Sequence, residues 1–217
     1  MPAAHTLPKL APFRVHEVGG AAAHGFALVQ AGMQAGAQAG AGAASGPVVY
    51  ICPAHETDRL LPAGIARLLP PARLLRVQAA GEADLLWATE EALRSGAVGF
   101  VIATPQKPLS LTAGRRLQLA AEAGRSTGLL IIRDGMGSNA AQTRWHCAPE
   151  WGAPEWGAPE WGAPEWGAQD STLQRWSLIK NKEGTLGDWL VGWNEKARAV
   201  CVVSPVGQRR EVAPQAV

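Results

Sequence analysis

Two glycines, Gly20 and Gly25, have the spacing of the glycines in a phosphate-binding loop. In that loop, G-x-x-x-x-G-K-[ST], backbone N–H groups hold the phosphates, the Lys reaches the outer phosphates and the hydroxyl binds Mg²⁺. Phe26 stands at the Lys position of this chain, and Ala27 stands at the Ser/Thr position. The spacing therefore predicts the frame of a nucleotide site without the side chains that perform its chemistry.

No other stretch predicts a catalytic centre. The zinc-protease pattern H-E-x-x-H does not occur in the sequence. The three cysteines, Cys52, Cys147 and Cys201, are widely separated and odd in number. This spacing fits reduced thiols in a cytoplasm and neither a disulfide framework nor a zinc site. We therefore expect no catalytic residue, no metal and no cofactor.

The amino-acid composition indicates which class of protein this chain belongs to. The chain has 217 residues, of which 47% are hydrophobic and 18% charged, as expected for one globular domain with a core. Its formal net charge of +2 gives no electrostatic signature of nucleic-acid binding. No apolar run approaches the length of a membrane span, and residues 1–12 lack the apolar core of a signal peptide. We expect a cytoplasmic protein that does not enter a membrane.

The elements that must position the glycine frame alternate along the chain. Continuous apolar runs at 48–52, 97–103 and 127–132 are typical of strands buried on both faces of a sheet. Helical patterns lie between them at 60–69, where Pro70-Pro71 ends the helix, and at 82–94 and 112–123. This alternation predicts an α/β fold with a mainly parallel sheet flanked by helices.

The end of the chain has a different pattern. The segments 175–180, 188–193 and 197–204 are short, and residues that favour turns separate them. They predict antiparallel strands added to one edge of the sheet.

Four tandem copies of Ala-Pro-Glu-Trp-Gly occupy residues 148–167. A proline in every fifth position excludes a regular helix, and a period of five does not match the period of two in a strand. Two interpretations stay open: an insertion without a dedicated role, and a binding element with exposed Trp side chains.

These features divide the chain into five parts. Residues 1–11 are predicted as a flexible lead-in, and 12–146 as the α/β core with a degenerate phosphate loop. Residues 147–170 are predicted as the repeat insertion, 171–204 as the C-terminal strands of the same domain, and 205–217 as a tail.

Four segments together resemble the ImuA family of RecA-like proteins, and behind it RecA itself. Residues 93–98 resemble the entry to the magnesium-site strand of RecA, and 115–124 are similar to the following helix of ImuA proteins. Residues 137–141 resemble the region after the second DNA loop of RecA, and 175–182 its lysine pair. The resemblance implies a RecA-like, P-loop NTPase-type core.

The same resemblance implies where a nucleotide site has been lost. The RecA carboxylate that orients the attacking water corresponds to Ala54, and the metal-site aspartate corresponds to Thr104. Phosphoryl transfer depends on positioning and on charge stabilisation around a metal. Because Phe26 also replaces the loop Lys, we expect no ATP hydrolysis.

Function and partners are likewise implied by the resemblance. It implies a non-catalytic accessory or scaffold protein of SOS-induced translesion synthesis and mutagenesis, which docks ImuB and an error-prone DnaE-type polymerase, with RecA as a further candidate partner. Direct contact with DNA stays open. Two alternatives remain: a SulA-like inhibitor of cell division that binds FtsZ, and a weak RecA-like ATP-binding protein.

Basic and aromatic residues near the C-terminus are the candidate partner contacts. Lys180 and Lys182 match the RecA lysines that reach a neighbouring subunit's ATP, so they are candidates for a role in trans. Arg175, Trp189 and Trp193 are predicted to be exposed interface anchors.

Overall fold

The computed structural model describes residues 7–37, 46–56, 60–150, 173–194 and 199–207. Outside the described residues lie the start of the predicted lead-in, residues 38–45, the repeat from residue 151 onwards and most of the predicted tail. The division of the chain into five parts therefore stays a prediction.

Nine strands, four α-helices and one short 3-10 helix (Pro71–Arg73) are found in the described part. In chain order they are β1 (Val15–Gly19), α1 (Ala23–Ala37), β2 (Val48–Pro53), α2 (Pro62–Ala66), β3 (Leu74–Ala79), α3 (Glu82–Arg94), β4 (Phe100–Ala103), α4 (Leu111–Ala123), β5 (Thr127–Ile131), β6 (Thr143–Pro149), β7 (Gln174–Asn181), β8 (Gly187–Asn194) and β9 (Ala199–Gly207).

All of these strands belong to one sheet, in the order β3-β2-β4-β5-β1-β6-β7-β8-β9. The strands from β3 to β6 in this order are parallel to their neighbours. From β6 to β9 each pair is antiparallel. The mixed α/β class and the antiparallel C-terminal strands at one side of the sheet are thus confirmed.

Two apolar cores lie on opposite faces of the sheet. One core contains side chains of α1, including Phe26 and Val29, with Trp145 and Trp176 from the C-terminal half of the sheet. The other contains side chains of α3 and α4, including Leu85 and Leu117. Helix α1 therefore covers one face, and the pair α3–α4 covers the other.

Two elements differ from the sequence prediction. Helix α2 covers only Pro62–Ala66 of the predicted 60–69, and the chain turns before Pro70, which lacks the N–H needed to continue a helix. Strand β6 was not predicted at all. Its buried residues alternate at Thr143, Trp145 and Cys147, and its last residues begin the first copy of the repeat.

Within the described ranges, no helix combines the length and the apolar character that crossing a membrane requires.

Candidate functional site

The connection between β1 and α1 is only three residues long, because β1 ends at Gly19 and α1 begins at Ala23. Gly20 has a φ of 92°, and a Cβ atom there would lie 2.3 Å from the carbonyl oxygen of Cys147 on β6. The Ala22 N–H donates a 3.0 Å hydrogen bond to the same oxygen. The connection is therefore held against β6, and the Ala22 N–H is not directed at a ligand.

Gly25, Phe26 and Ala27 lie in the first turns of α1 and not in a loop. Phe26 and Ala27 are fully buried. The ring centroid of Phe26 lies 5.4 Å from that of Trp145 and 4.6 Å from that of Trp176, which it meets edge-on. At the position of the loop Lys, an aromatic ring thus packs α1 against β6 and β7.

Ala54 and Thr104 immediately follow the carboxyl ends of β2 and β4. Sequence reasoning missed the carboxylate that lies beside them. Glu56 accepts a 3.3 Å hydrogen bond from Oγ1 of Thr104. Burial, and secondarily the charge of the Glu56 carboxylate, raises the pKa of the Tyr50 phenol. In the sequence, the only indication of this carboxylate was that a Glu stands two positions after Ala54.

Lys180 and Lys182 both bind the turn that precedes β6. Nζ of Lys180 donates to the carbonyl oxygens of Ser138 and Ala141 at 3.0 and 3.1 Å. Nζ of Lys182 donates to the carbonyl oxygen of Ala140 at 2.8 Å. The structure therefore places the two lysines close together. Both ammonium groups, however, bind carbonyl oxygens of the same chain.

A buried ion pair lies beside these lysines. Glu17 on β1 is fully buried and accepts 2.8 Å hydrogen bonds from Nε of Arg144 and from the N–H of Ser138. Burial, and secondarily the charge of Arg144, lowers the pKa of Lys180. Gly137 leaves space for the guanidinium, since a Cβ atom there would lie 1.9 Å from Cζ of Arg144.

The predicted C-terminal anchors differ in exposure. Arg175 is partly exposed, and its Nε and Nη2 each donate a 3.1 Å hydrogen bond to the Glu150 carboxylate. Trp193 is partly buried. Trp189 is only 6% exposed, with its ring centroid 5.8 Å from that of Trp145. The prediction that Trp189 is exposed is wrong, because the alternation of β8 turns its ring towards the α1 core.

A shallow cleft of about 170 Å³ lies where β1 and β5 end. Its lining residues are Gly19, 132–135, Gly137, 144–146 and Ile179. Arg133 donates a hydrogen bond to Gln106 and Arg144 donates one to Glu17, so both guanidinium groups already have acceptors. In the described part of the chain, no group of three or more His, Cys, Asp or Glu side chains is placed to hold a metal.

One hydrolase-like pentapeptide was overlooked in the sequence. Residues 124–128, Gly-Arg-Ser-Thr-Gly, match the G-x-S-x-G nucleophile pattern, which requires a strand followed by a helix. Here helix α4 precedes the segment and β5 begins within it, at Thr127. Ser126 is fully buried, and a Cβ atom on Gly124 would lie 2.0 Å from the carbonyl oxygen of Leu93. The glycine at 124 therefore serves close packing against α3.

The fold and the candidate site together define a mixed α/β protein. Its β1–α1 junction is part of the apolar core. Over 115 residues the chain is 35% identical to Protein ImuA of Caulobacter vibrioides, and the same match occurs in two strains. The match covers 48% of this chain and 46% of the relative, so the chain spans about half the length of the curated relatives it matches. The resemblance to ImuA is confirmed over that part.

The chain was also compared with protein-family models and with solved structures. No protein-family model matches the chain. Among solved structures, SulA from Pseudomonas aeruginosa aligns with a TM-score of 0.41 and 25% sequence identity, over 55% of this chain and 97% of that one.

Proposed function

We propose that this chain is a non-catalytic accessory protein of DNA-damage-induced mutagenesis, built on a RecA-like core that has lost its nucleotide site. The observation that carries the proposal is the 35% identity to ImuA over 115 residues. In this proposal the protein acts in the cytoplasm during translesion synthesis in the SOS response. It contributes docking surfaces and no chemistry of its own.

The packing of the β1–α1 junction supports the absence of ATP chemistry. Nucleotide binding at a phosphate loop needs a Lys and free amides directed at the phosphates. At this junction the Lys position is the buried ring of Phe26, and the Ala22 N–H is bound to the carbonyl of Cys147. The carboxylate beside Thr104, that of Glu56, accepts a hydrogen bond from the Thr104 hydroxyl.

The proposed partners are ImuB, an error-prone DnaE-type polymerase and, as a third, RecA. We assign their docking surface to the sheet formed by β6 to β8 on the side opposite α1. Ile179 is 52% exposed there, and Arg175 is partly exposed. Arginine is enriched at protein interfaces, and Ile179 adds an exposed apolar side chain to the same strand.

A role in trans for Lys180 and Lys182 at a RecA-bound nucleotide has a structural cost. Each ammonium group would have to leave the backbone carbonyls that it now binds in the 138–141 turn. Hydrogen bonds from a charged donor contribute roughly 1.5–3 kcal/mol each, so partner binding would have to supply at least that much.

Co-purification of the full chain with ImuB tests the proposal. We expect a complex with the unmodified protein and a weaker one with Ile179→Glu, because the variant places a charge on the proposed docking surface. Leu119→Glu is the matched control, since Leu119 is 66% exposed on α4, away from β7. Absence of any complex with the unmodified chain would refute the proposed partner. Equal loss in both variants would refute the proposed surface.

A further inference from the structure

The cleft at the ends of β1 and β5 has aliphatic side chains in its lining. Ile132 is buried and belongs to the core under α3 and α4. Ile179 on β7 lines the same cleft and is 52% exposed. The cleft therefore joins the helix-covered part of this face to the docking surface that we propose on β6 to β8.

The absence of a side chain at Gly19 opens this cleft. Val18 packs in the α1 core, so Gly19 faces the opposite side of the sheet, because neighbouring residues of a strand alternate in direction. A Cβ atom on Gly19 would lie 3.9 Å from Oδ1 of Asp134 and 4.0 Å from Cγ1 of Ile132. Its neighbour across the β1–β6 pair is His146. The glycine thus leaves space beside these three side chains.

Two polar side chains of the lining have no hydrogen-bond or ion-pair partner in the part of the chain that the structure describes. They are the His146 ring and the Asp134 carboxylate. Arg133 and Arg144, the other charged residues of the lining, each donate to an acceptor within the chain. The groups left to bind a ligand are therefore a carboxylate, which accepts hydrogen bonds, and an imidazole, which donates or accepts.

These groups favour an uncharged ligand with an apolar body. An anion would lie beside the Asp134 carboxylate, and a cation would lie beside two guanidinium groups. A phenol fits, since its hydroxyl can donate to Asp134 and accept from His146 while its ring packs against aliphatic side chains. The volume of about 170 Å³ is below the roughly 300–1,000 Å³ of sites for drug-sized molecules and suits a single side chain.

We infer that this cleft binds a tyrosine side chain of a partner protein, as the anchor of the docking surface on β6 to β8. Tyrosine is enriched at interfaces, where anchor residues fill pockets of the partner. A second folded copy of this chain does not supply the anchor, because its single tyrosine, Tyr50, is 2% exposed. The inference rests on the proposed docking role and specifies the side chain that the partner presents.

Binding of p-cresol, the side-chain analogue of tyrosine, tests the cleft without any partner protein. Toluene, which lacks only the hydroxyl, is the control ligand. We expect saturable NMR shifts at the His146 ring and the Gly19 amide of the full chain, and about fivefold weaker binding of toluene, since one lost hydrogen bond contributes about 1 kcal/mol. No saturable shift at these residues, or equal affinities for the two ligands, would overturn the inference.

Two variants locate the binding. Gly19→Ala places a methyl group in the cleft, and we expect at least about tenfold weaker p-cresol binding. Asp134→Ala changes an exposed side chain and serves if the first variant does not fold; it should weaken p-cresol binding about fivefold and leave toluene binding unchanged. Asp84→Ala is the matched control, because Asp84 is an exposed aspartate on α3 outside the lining. Binding of p-cresol that both cleft variants leave unchanged would refute the assignment.

Co-purification with ImuB separates failure of this inference from failure of the proposed function. We expect Gly19→Ala to weaken the complex as Ile179→Glu does, and Asp84→Ala to leave it unchanged. A complex of full strength with folded Gly19→Ala would overturn the anchor and leave the proposed function in place. Specific p-cresol binding without any ImuB complex would refute the proposed partner and still support the tyrosine site.

Discussion

Phe26 is the residue at which the chain departs most from a nucleotide-binding protein. Its ring is fully buried and contacts Trp145 and Trp176, while Trp189 continues the cluster through Trp145. A charged Lys ammonium in this place would be desolvated without a phosphate partner. The same position that would bind phosphates in an active loop therefore connects α1 to the C-terminal strands.

Truncation of this ring should be costly. We expect Phe26→Ala to lower the free energy of unfolding by about 3–5 kcal/mol, because it leaves a cavity between α1 and two Trp rings. Phe26→Leu should cost less, since most of the volume is kept. Urea unfolding measures both, with the exposed Leu119→Ala as control. A loss below about 1 kcal/mol for Phe26→Ala would show that the cluster is not tightly packed.

His16 makes stability depend on pH. It is fully buried, Nε2 donates to the carbonyl oxygen of Ala11 at 2.9 Å, and Nδ1 accepts from Oγ1 of Thr143 at 2.7 Å. Burial lowers its pKa from 6.5 to about 4. Between these values the unfolded chain binds a proton that the folded chain excludes, so stability falls as the pH falls.

The size of this effect follows from the shift. At 1.36 kcal/mol per pKa unit, we expect about 3 kcal/mol of stability to be lost between pH 6.5 and pH 4. The measurement is the difference in unfolding free energy between the unmodified chain and His16→Asn across this range. Parallel pH profiles for the two proteins would contradict the assignment.

At the scale of elements, β6 joins the two halves of the sheet. It pairs in parallel with β1 and in antiparallel fashion with β7. Its Arg144 bonds to the buried Glu17 of β1, and Lys180 of β7 binds the turn that leads into it. Charged groups thus hold β6 in place on one face of the sheet, while Trp145 packs into the apolar core on the other face.

Removal of the cation should leave a buried, unpaired carboxylate. We expect Arg144→Met to lower the free energy of unfolding by about 3 kcal/mol or more. Adding Glu17→Gln should recover part of this loss, because the amide carries no charge. A double-mutant cycle in urea measures the coupling. Strictly additive losses would contradict a direct interaction between the two side chains.

The sequence predicted the elements that have a strong pattern of their own. Helix α3 was predicted with its observed ends, and the buried strands β2, β4 and β5 were found from their apolar runs. Strand β6 was missed because the repeat begins within it and its polar face carries Arg144 and His146. The contact of Glu56 with Thr104 depends on how β2 and β4 are paired, which no local pattern encodes.

At the scale of the whole molecule, the sheet is packed on both faces and still leaves exposed aliphatic side chains on two of its strands. Two cores stabilise one sheet, the β1–α1 junction is filled, and the surfaces of β3 and β7 carry exposed aliphatic side chains. In the proposed role the surface of β7 binds partners in damage-induced mutagenesis, and the protein supplies no phosphoryl-transfer chemistry.

Nucleotide titration distinguishes this role from residual ATP binding. We expect no saturable binding of a slowly hydrolysed ATP analogue in the presence of Mg²⁺, because Phe26 stands at the Lys position and the Ala22 N–H is already bound to the Cys147 carbonyl. Equilibrium dialysis measures it, with RecA as the positive control. Saturable, Mg²⁺-dependent binding would restore the alternative of a RecA-like ATP-binding protein.

The most direct test of the central claim is the frequency of ultraviolet-induced mutation in the source organism after deletion of the gene for this chain. The account predicts that induced mutagenesis falls to the level of undamaged cells, and that plasmid-borne chain restores it, including a Phe26→Leu variant that stays folded. Induced mutagenesis that is unchanged by the deletion would contradict a role in this process and would leave the similarity to ImuA as a relation of sequence alone.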